Sequence, residues 1–329
     1  MFKPKALCLN LSQKIGNKYK LIFIILLNIA IYIGLYFQIQ KTFFHRVSFP
    51  KGAQKIFYTA PQPYPHKHHR VAVFASFSSK GKVADYIIYY LKNLKKVCDA
   101  IIFVTDNPLL PSEADKIKDL VFHIEAKRHG EYDFGSYERG LAYLRKEQLL
   151  ASDDSLILCN DSCYGPIYPF EPIFEEMEKR ENVDFWGLAS NNEVTYHLQS
   201  YFLVFSPKVM TSFDLDSFLN KTAKEYNTRQ IILKYEVQLT PYLQNLGYNA
   251  ASYLPDIIET PTWSQVKINK TIFPYTIISQ YHFPLIKKKV FFPDVEFEMH
   301  LQEDPRDVLK FLKKQNPELY KIIMAQNPI

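Results

Sequence analysis

The chain has 329 residues, 47% of them hydrophobic, with only 10 glycines and a formal net charge of +6. These figures fit one large or two small folded domains and exclude a low-complexity chain. The charge is too small to point to nucleic acid by itself, although it suits an anionic membrane or phosphorylated substrates. The four cysteines (Cys8, Cys98, Cys159 and Cys163) lack the double-pair spacing of a zinc site, and so few in a chain of this length fit a reduced, intracellular setting. The 23 tyrosines and 25 phenylalanines fill cores by default, and line sugar-binding clefts as well.

Residues 1–20 form a basic N-terminal segment. Residues 21–38 follow as a nearly unbroken apolar run, just long enough to cross a bilayer. The run lacks a small-residue cleavage site, so it reads as a transmembrane or membrane-anchoring helix and not as a removed signal. A buried helix, or one lying in the membrane surface, is the alternative. Lysines and an arginine on both sides nearly balance, so charge leaves the orientation open. Residues 39–70 read as a linker. They carry Pro50, Pro61, Pro63 and Pro65, then His66, His68 and His69, a cluster read as a solvated basic linker in preference to a metal site.

Residues 71–290 carry an α/β rhythm. Val71 to Phe77 reads as a strand, Ala84 to Leu94 as an amphipathic helix, Ala100 to Asp106 as a second strand and Val121 to Ile124 as a third. That alternation predicts a sheet with parallel strands flanked by helices. No Gly-x-Gly-x-x-Gly follows the first strand and no phosphate-loop motif occurs, which disfavours a classical dinucleotide fold and a P-loop ATPase. Arg128 to Tyr137 then lead into a helix over 138–148. Asp133 and Ser136 are candidate caps there, and Gly135 would let the backbone approach a ligand. A helix start favours a bound anion, with a plain cap as the alternative.

Ser155 to Cys159 form an aliphatic strand that ends abruptly in Asn160-Asp161-Ser162. In open α/β sheets ligands bind beyond the carboxyl ends of the strands, so Asp161 stands where a metal ion or substrate would be met. The competing reading is a simple turn. Beyond it the pattern predicts a helix over 170–180, a strand over 184–188 and a strand entered through His197, Gln199 and Ser200. A mostly helical stretch over 207–234 follows, then a helix with Glu236 near its start and Gly247 at its end. Glu236 suits a catalytic base or simply the helix dipole. His282 and Lys287-Lys288-Lys289 could hold a diphosphate or face anionic lipid. Residues 291–329 read as a helical tail.

Four stretches in this order resemble the rhamnan synthesis protein F family of bacterial surface-polysaccharide assembly. They are Tyr132-Asp133-Phe134-Gly135-Ser136-Tyr137; Asn160-Asp161-Ser162 with Tyr164-Gly165-Pro166; Asp184-Phe185-Trp186-Gly187; and His197-Leu198-Gln199-Ser200-Tyr201-Phe202. The resemblance covers about residues 71–290. It implies a GT-A-like glycosyltransferase, with a Rossmann-type mixed sheet, that takes a nucleotide-sugar donor such as dTDP-rhamnose and a growing glycan or lipid-linked glycan as acceptor. It also implies work at the bacterial inner membrane, with the catalytic domain on the cytoplasmic side. Related GT-A enzymes use a strand-end Asp-x-Asp, whereas Asn160-Asp161-Ser162 offers one carboxylate. On this expectation Asp161 binds Mg²⁺ or Mn²⁺, Glu236 is the base, and Arg128, Asp133, Gly135, Asn160, Ser162, His282 and Lys288 bind the donor. Trp186, His197 and Gln199 meet the substrate. A non-catalytic, membrane-tethered glycan-binding or scaffold protein is the alternative.

Overall fold

The computed structural model describes residues 48–64, 66–260, 266 and 268–326. In chain order come β1 (Ile56–Thr59), β2 (Arg70–Ser76), α1 (Asp85–Leu94), β3 (Ala100–Thr105), α2 (Pro111–Asp115), β4 (His123–Ala126) and α3 (Tyr132–Lys146). Next are β5 (Ser155–Asn160), β6 (Cys163–Tyr164), α4 (Glu171–Glu178), β7 (Phe185–Gly187), β8 (Ser190–Asn191), β9 (His197–Leu198) and β10 (Phe202–Phe205). Three short helices follow, α5 (Pro207–Ser212), α6 (Asp214–Leu219) and α7 (Thr228–Ile231), then a π-helical turn (Ile232–Glu236) that runs into α8 (Val237–Asn245). The rest comprises β11 (Ala250–Ser252), α9 (Pro274–Gln280), β12 (Ile286–Lys287), α10 (Val295–His300), α11 (Pro305–Gln315) and α12 (Pro317–Gln326).

The main sheet has eight strands in the order β1-β4-β3-β2-β5-β10-β7-β11. β4, β3, β2 and β5 run parallel, and β10 is antiparallel to both β5 and β7. The three strands β2, β3 and β5 are almost wholly buried, which is why they read as continuous apolar runs and not as alternating ones. Their side chains still divide by face. Ala72, Phe74, Ile101, Phe103, Ile157 and Cys159 join α1, α4, α11 and α12 in one core. Val71, Val73, Ile102, Val104, Leu156 and Leu158 join α3, α6 and α8 in the other. The result is a mixed α/β fold with helices on both faces of a large mixed sheet.

Several boundaries differ from the sequence reading. The expected linker contributes β1, which pairs antiparallel with β4 at the sheet edge. β4 lies two residues later than expected, because Glu125 and Ala126 are paired by β1 on one side and β3 on the other. α3 starts at Tyr132 and not at 138: Phe134, Tyr137, Leu141 and Leu144 all bury on one helical stripe. The described part of the tail is three helices, α10 to α12, the last two broken at Asn316-Pro317, and Val308, Leu312, Leu319 and Ile323 seal the first core. The anchoring segment expected over 21–38 lies outside the described residues. Among the described residues no helix is long and apolar enough to cross a membrane.

Candidate active site at the carboxyl edge of the sheet

From β2 the chain crosses to β3 on one side, and β5 is added on the other. The carboxyl ends of β2 and β5 therefore border a crevice, the usual ligand position in such sheets. Asp161, the first residue after β5, closes its floor. Its N–H donates to Ala75 O at 3.1 Å. Its Oδ2 accepts from Ser76 Oγ at 2.9 Å and from the Phe77 N–H at 3.2 Å. Asn160 makes the turn: its Oδ1 accepts from the Ser162 N–H at 3.0 Å and from Ser162 Oγ at 2.6 Å. The other end of the same amide donates to Asp133 Oδ2 at 2.8 Å, tying the first turn of α3 to the end of β5.

Two lysines reach this floor from far along the chain. β12 pairs with β6, matching Ile286 with Tyr164 and Lys287 with Cys163. The Lys288 N–H donates to Ser162 O at 2.9 Å, and that of Ile167 to Pro284 O at 2.7 Å. Gly165 permits the approach. It holds φ +149°, and a Cβ there would lie 2.5 Å from Leu285 Cδ2 and 2.7 Å from Pro284 O. Lys288 Nζ then donates to Tyr86 Oη at 2.7 Å and stands 3.7 Å from Asp161 Oδ1. Lys287 Nζ sits 4.1 Å above the Tyr201 ring.

A cleft of about 290 Å³ opens beside this floor, lined by Asp133, Asn160, Ser162, His197, Gln199, Glu236 and Lys287 among others. Glu236 ends the π-helical turn, a device common at functional sites. Its Oε2 accepts from the Ser200 N–H at 2.8 Å and from the Ser200 hydroxyl. His197 Nδ1 must donate to Thr195 O, 2.8 Å away, which leaves Nε2 facing Glu236 Oε1 at 3.9 Å. Gln199 donates to Asn269 Oδ1 at 3.4 Å, while its Oε1 is buried with no hydrogen-bond partner among the described residues. Burial raises the Asp133 carboxyl to about 7. The negative charges of Asp161 and Glu236 add to this, and Lys288 and Lys287 oppose it.

The sequence-selected residues thus separate into two groups. Asp133, Asn160, Ser162, His197, Gln199 and Glu236 share one cleft, with Asp161 and Lys288 at its floor. Arg128, Gly135, Trp186 and His282 do not line it. Arg128 is ion-paired with Asp106, whose Oδ1 also accepts from the N–H groups of His129 at 2.6 Å and Gly130 at 2.7 Å. Gly135 lies inside α3 and leaves room for Glu131 and not for a ligand: a Cβ there would come within 2.3 Å of Glu131 Cβ. Trp186 is core, edge-on to Phe174 at 5.3 Å. His282 is exposed and lies edge-on to Tyr168. Ser76 and Tyr86 had no sequence signal, being ordinary residues whose roles come from pairing, whereas Ser200 and Tyr201 stood in a family-like stretch without an assigned role. Lys287 was visible only as part of the lysine run.

A divalent ion such as Mg²⁺ or Mn²⁺ needs several oxygen ligands converging on one point. The residues around Asp161 do not supply them. Its Oδ2 is taken by two donors and its Oδ1 faces Lys288. Asn160 Oδ1 is taken by Ser162, and Asp133 Oδ2 accepts from the Asn160 amide at 2.8 Å. The arrangement therefore departs from the expected metal role of Asp161. The positive charge here comes from Lys287 and Lys288, with Lys289, ion-paired to Asp294, on the cleft wall.

The sequence profile of the rhamnan synthesis protein F family matches residues 101–325, well over half of the chain, and the chain belongs to that family. Virulence protein VirA of Vibrio anguillarum is 25% identical over 218 residues, 66% of this chain and 66% of that protein. The uncharacterized protein y4gN of Sinorhizobium fredii is 24% identical over 213 residues, 63% of this chain and 55% of that one. The chain thus covers under two thirds of either relative. Among solved structures, the mannosyltransferase PcManGT from Pyrobaculum calidifontis, in complex with GDP-Man and Mn²⁺, is similar at TM-score 0.38 and 8% identity. The match covers 89% of this chain and 80% of that one. A 4-diphosphocytidyl-2C-methyl-D-erythritol synthase is similar at TM-score 0.36 and 12% identity, over 56% of this chain and 89% of that one. Likenesses at these scores carry no weight for activity.

Proposed function

We propose that the chain is a nucleotide-sugar-dependent glycosyltransferase with a GT-A-like domain, acting in the assembly of a bacterial surface polysaccharide. Family membership supports the class. The observation that carries the chemistry is the single cleft in which Asp133 and Glu236 face Lys287 and, at the floor, Lys288. A nucleoside diphosphate leaving from the anomeric carbon gains negative charge as the bond breaks, and fixed cations offset it. In this reading Lys287 and Lys288 meet the diphosphate, and Phe77, exposed beside Arg128 at the end of β2, offers a face to the base. The acceptor hydroxyl attacks the anomeric carbon and gives up its proton to a carboxylate. Asp133 is the better-matched base, since a base works best with a pKa near the operating pH. Glu236 and His197, with Oε1 of Gln199, which has no hydrogen-bond partner among the described residues, hold the acceptor.

dTDP-rhamnose is the first donor to try, with a growing glycan or a lipid-linked glycan as acceptor. The segment 21–38 would hold the enzyme at the inner membrane, with the catalytic domain in the cytoplasm. The test is a panel of nucleotide-sugars offered to the full chain, with and without added Mg²⁺ or Mn²⁺, scored for nucleoside diphosphate release. Release is expected without added metal, and Lys288→Ala is expected to weaken donor binding about tenfold or more. A wild-type chain that neither binds nor cleaves any nucleotide-sugar would overturn the proposal.

A further inference from the structure

At the opposite end of β2 and β5 the chain builds a second cluster of metal-ligating groups. Ser155, the first residue of β5, donates its N–H to His69 O at 2.9 Å, so the residues just before the two central strands lie side by side. His69 Nδ1 stands 3.0 Å from Asp153 Oδ2, and one ligand atom from each of His69, Asp153 and Asp154 falls within 4.8 Å of the others. His66 Nδ1 approaches the same group, 3.7 Å from Asp154 Oδ1. The segment is pinned without using these side chains. The N–H groups of Lys67 and His68 donate to Asp99 at 2.8 and 2.9 Å, and the Tyr64 hydroxyl donates to Leu149 O.

A separate observation points to a ligand. Asp154 is only 1% exposed, one carboxylate oxygen accepts from the Ala151 N–H at 2.8 Å, and the other is buried with no hydrogen-bond partner among the described residues. A buried carboxylate oxygen left without a donor is costly, and a cation is a standard way to satisfy it. Imidazole together with two carboxylates suits Zn²⁺ better than Mg²⁺ or Ca²⁺.

We propose that His69, Asp153 and Asp154, with His66 alongside, bind a Zn²⁺ ion that clamps the segment ahead of β2 to the amino edge of the sheet. This site is distinct from the candidate cleft and independent of the proposed activity. The test is the full chain, stripped of metal with a chelator and titrated with Zn²⁺ at pH 7.5 by calorimetry, with melting temperature followed in parallel. Saturable binding and a Zn²⁺-dependent rise in melting temperature are expected. His69→Ala, a half-exposed position chosen to keep the fold, and Asp154→Asn are each expected to weaken binding at least about tenfold. Wild-type protein that takes up no Zn²⁺, or His69→Ala that binds it and is stabilised by it as wild type is, would overturn the proposal.

Discussion

Asp133 stands in the fields of Asp161 and Glu236, and its ionisation is opposed by both as well as by burial. The sign of the linkage follows. An acid whose folded pKa lies above its unfolded value stabilises the fold at low pH, and that contribution is lost as pH rises from about 4 to about 7. Asp133→Asn should therefore melt higher than wild type at pH 8, with the gap closing toward pH 4. Equal melting temperatures at both pH values would refute the raised pKa. If Asp133 is the base, the transfer rate of wild type should climb as pH passes through about 7, and Asp133→Asn should lose about 100-fold or more in rate while still binding donor. At this scale Asp161 was legible in the sequence as a polar stop to an aliphatic strand. Its hydrogen-bond donors were not, since Ser76 and Phe77 belong to another strand end and meet it only through sheet pairing.

The β6–β12 ribbon is the element that imports positive charge. It is only two residues per strand, and its stability rests on the backbone approach at Gly165. A methyl group there collides with Leu285 and the Pro284 carbonyl in a backbone conformation that side-chain-bearing residues rarely adopt. Gly165→Ala should cost about 1–3 kcal/mol in denaturant unfolding. It should weaken nucleotide binding as well, because Lys287 and Lys288 are displaced together. Loss of stability with unchanged donor binding would show that the lysines do not need the ribbon. The sequence displayed Gly165-Pro166 and the lysine run as separate features. Nothing in local pattern says that residues 163–164 and 286–287 pair, so the connection waited for the fold. The start of α3 was missed for a related reason: Asp133, Gly135 and Ser136 suggested a cap, but Phe134 and Tyr137 had already begun the buried stripe.

Across the whole molecule the two-faced core dominates, and it was the most legible part. Long aliphatic strands alternating with an amphipathic helix leave few alternatives to a covered parallel sheet. Edge strands and short connecting helices were less legible, because β1 and β4 take their identity from partners and not from composition. Burial also bears on stability in acid. His129 is pushed down to about 3 and His123 to about 4, chiefly by desolvation, so both are held neutral. A histidine with a depressed folded pKa costs stability as pH falls from about 6.5 toward that value. His123 stacks on Tyr143 with ring centroids 3.7 Å apart, so His123→Phe keeps a ring in place while removing the titration. Its melting temperature should fall less steeply than that of wild type between pH 6.5 and pH 4. Parallel declines would assign the acid sensitivity elsewhere.

The position of the lysine ribbon in the chain has a consequence for synthesis. Every strand of the eight-stranded sheet, and with it Asp133, Asp161 and Glu236, is made before Lys287 leaves the ribosome. Ile286 and Val290, and further on Leu312 and Ile323, belong to the core on one face of that sheet, so a chain paused short of β12 lacks both this cover and the two lysines. Under the proposed role of Lys287 and Lys288, a product terminated before β12 would bind no donor, since both the lysines and the packing that positions them are still unmade.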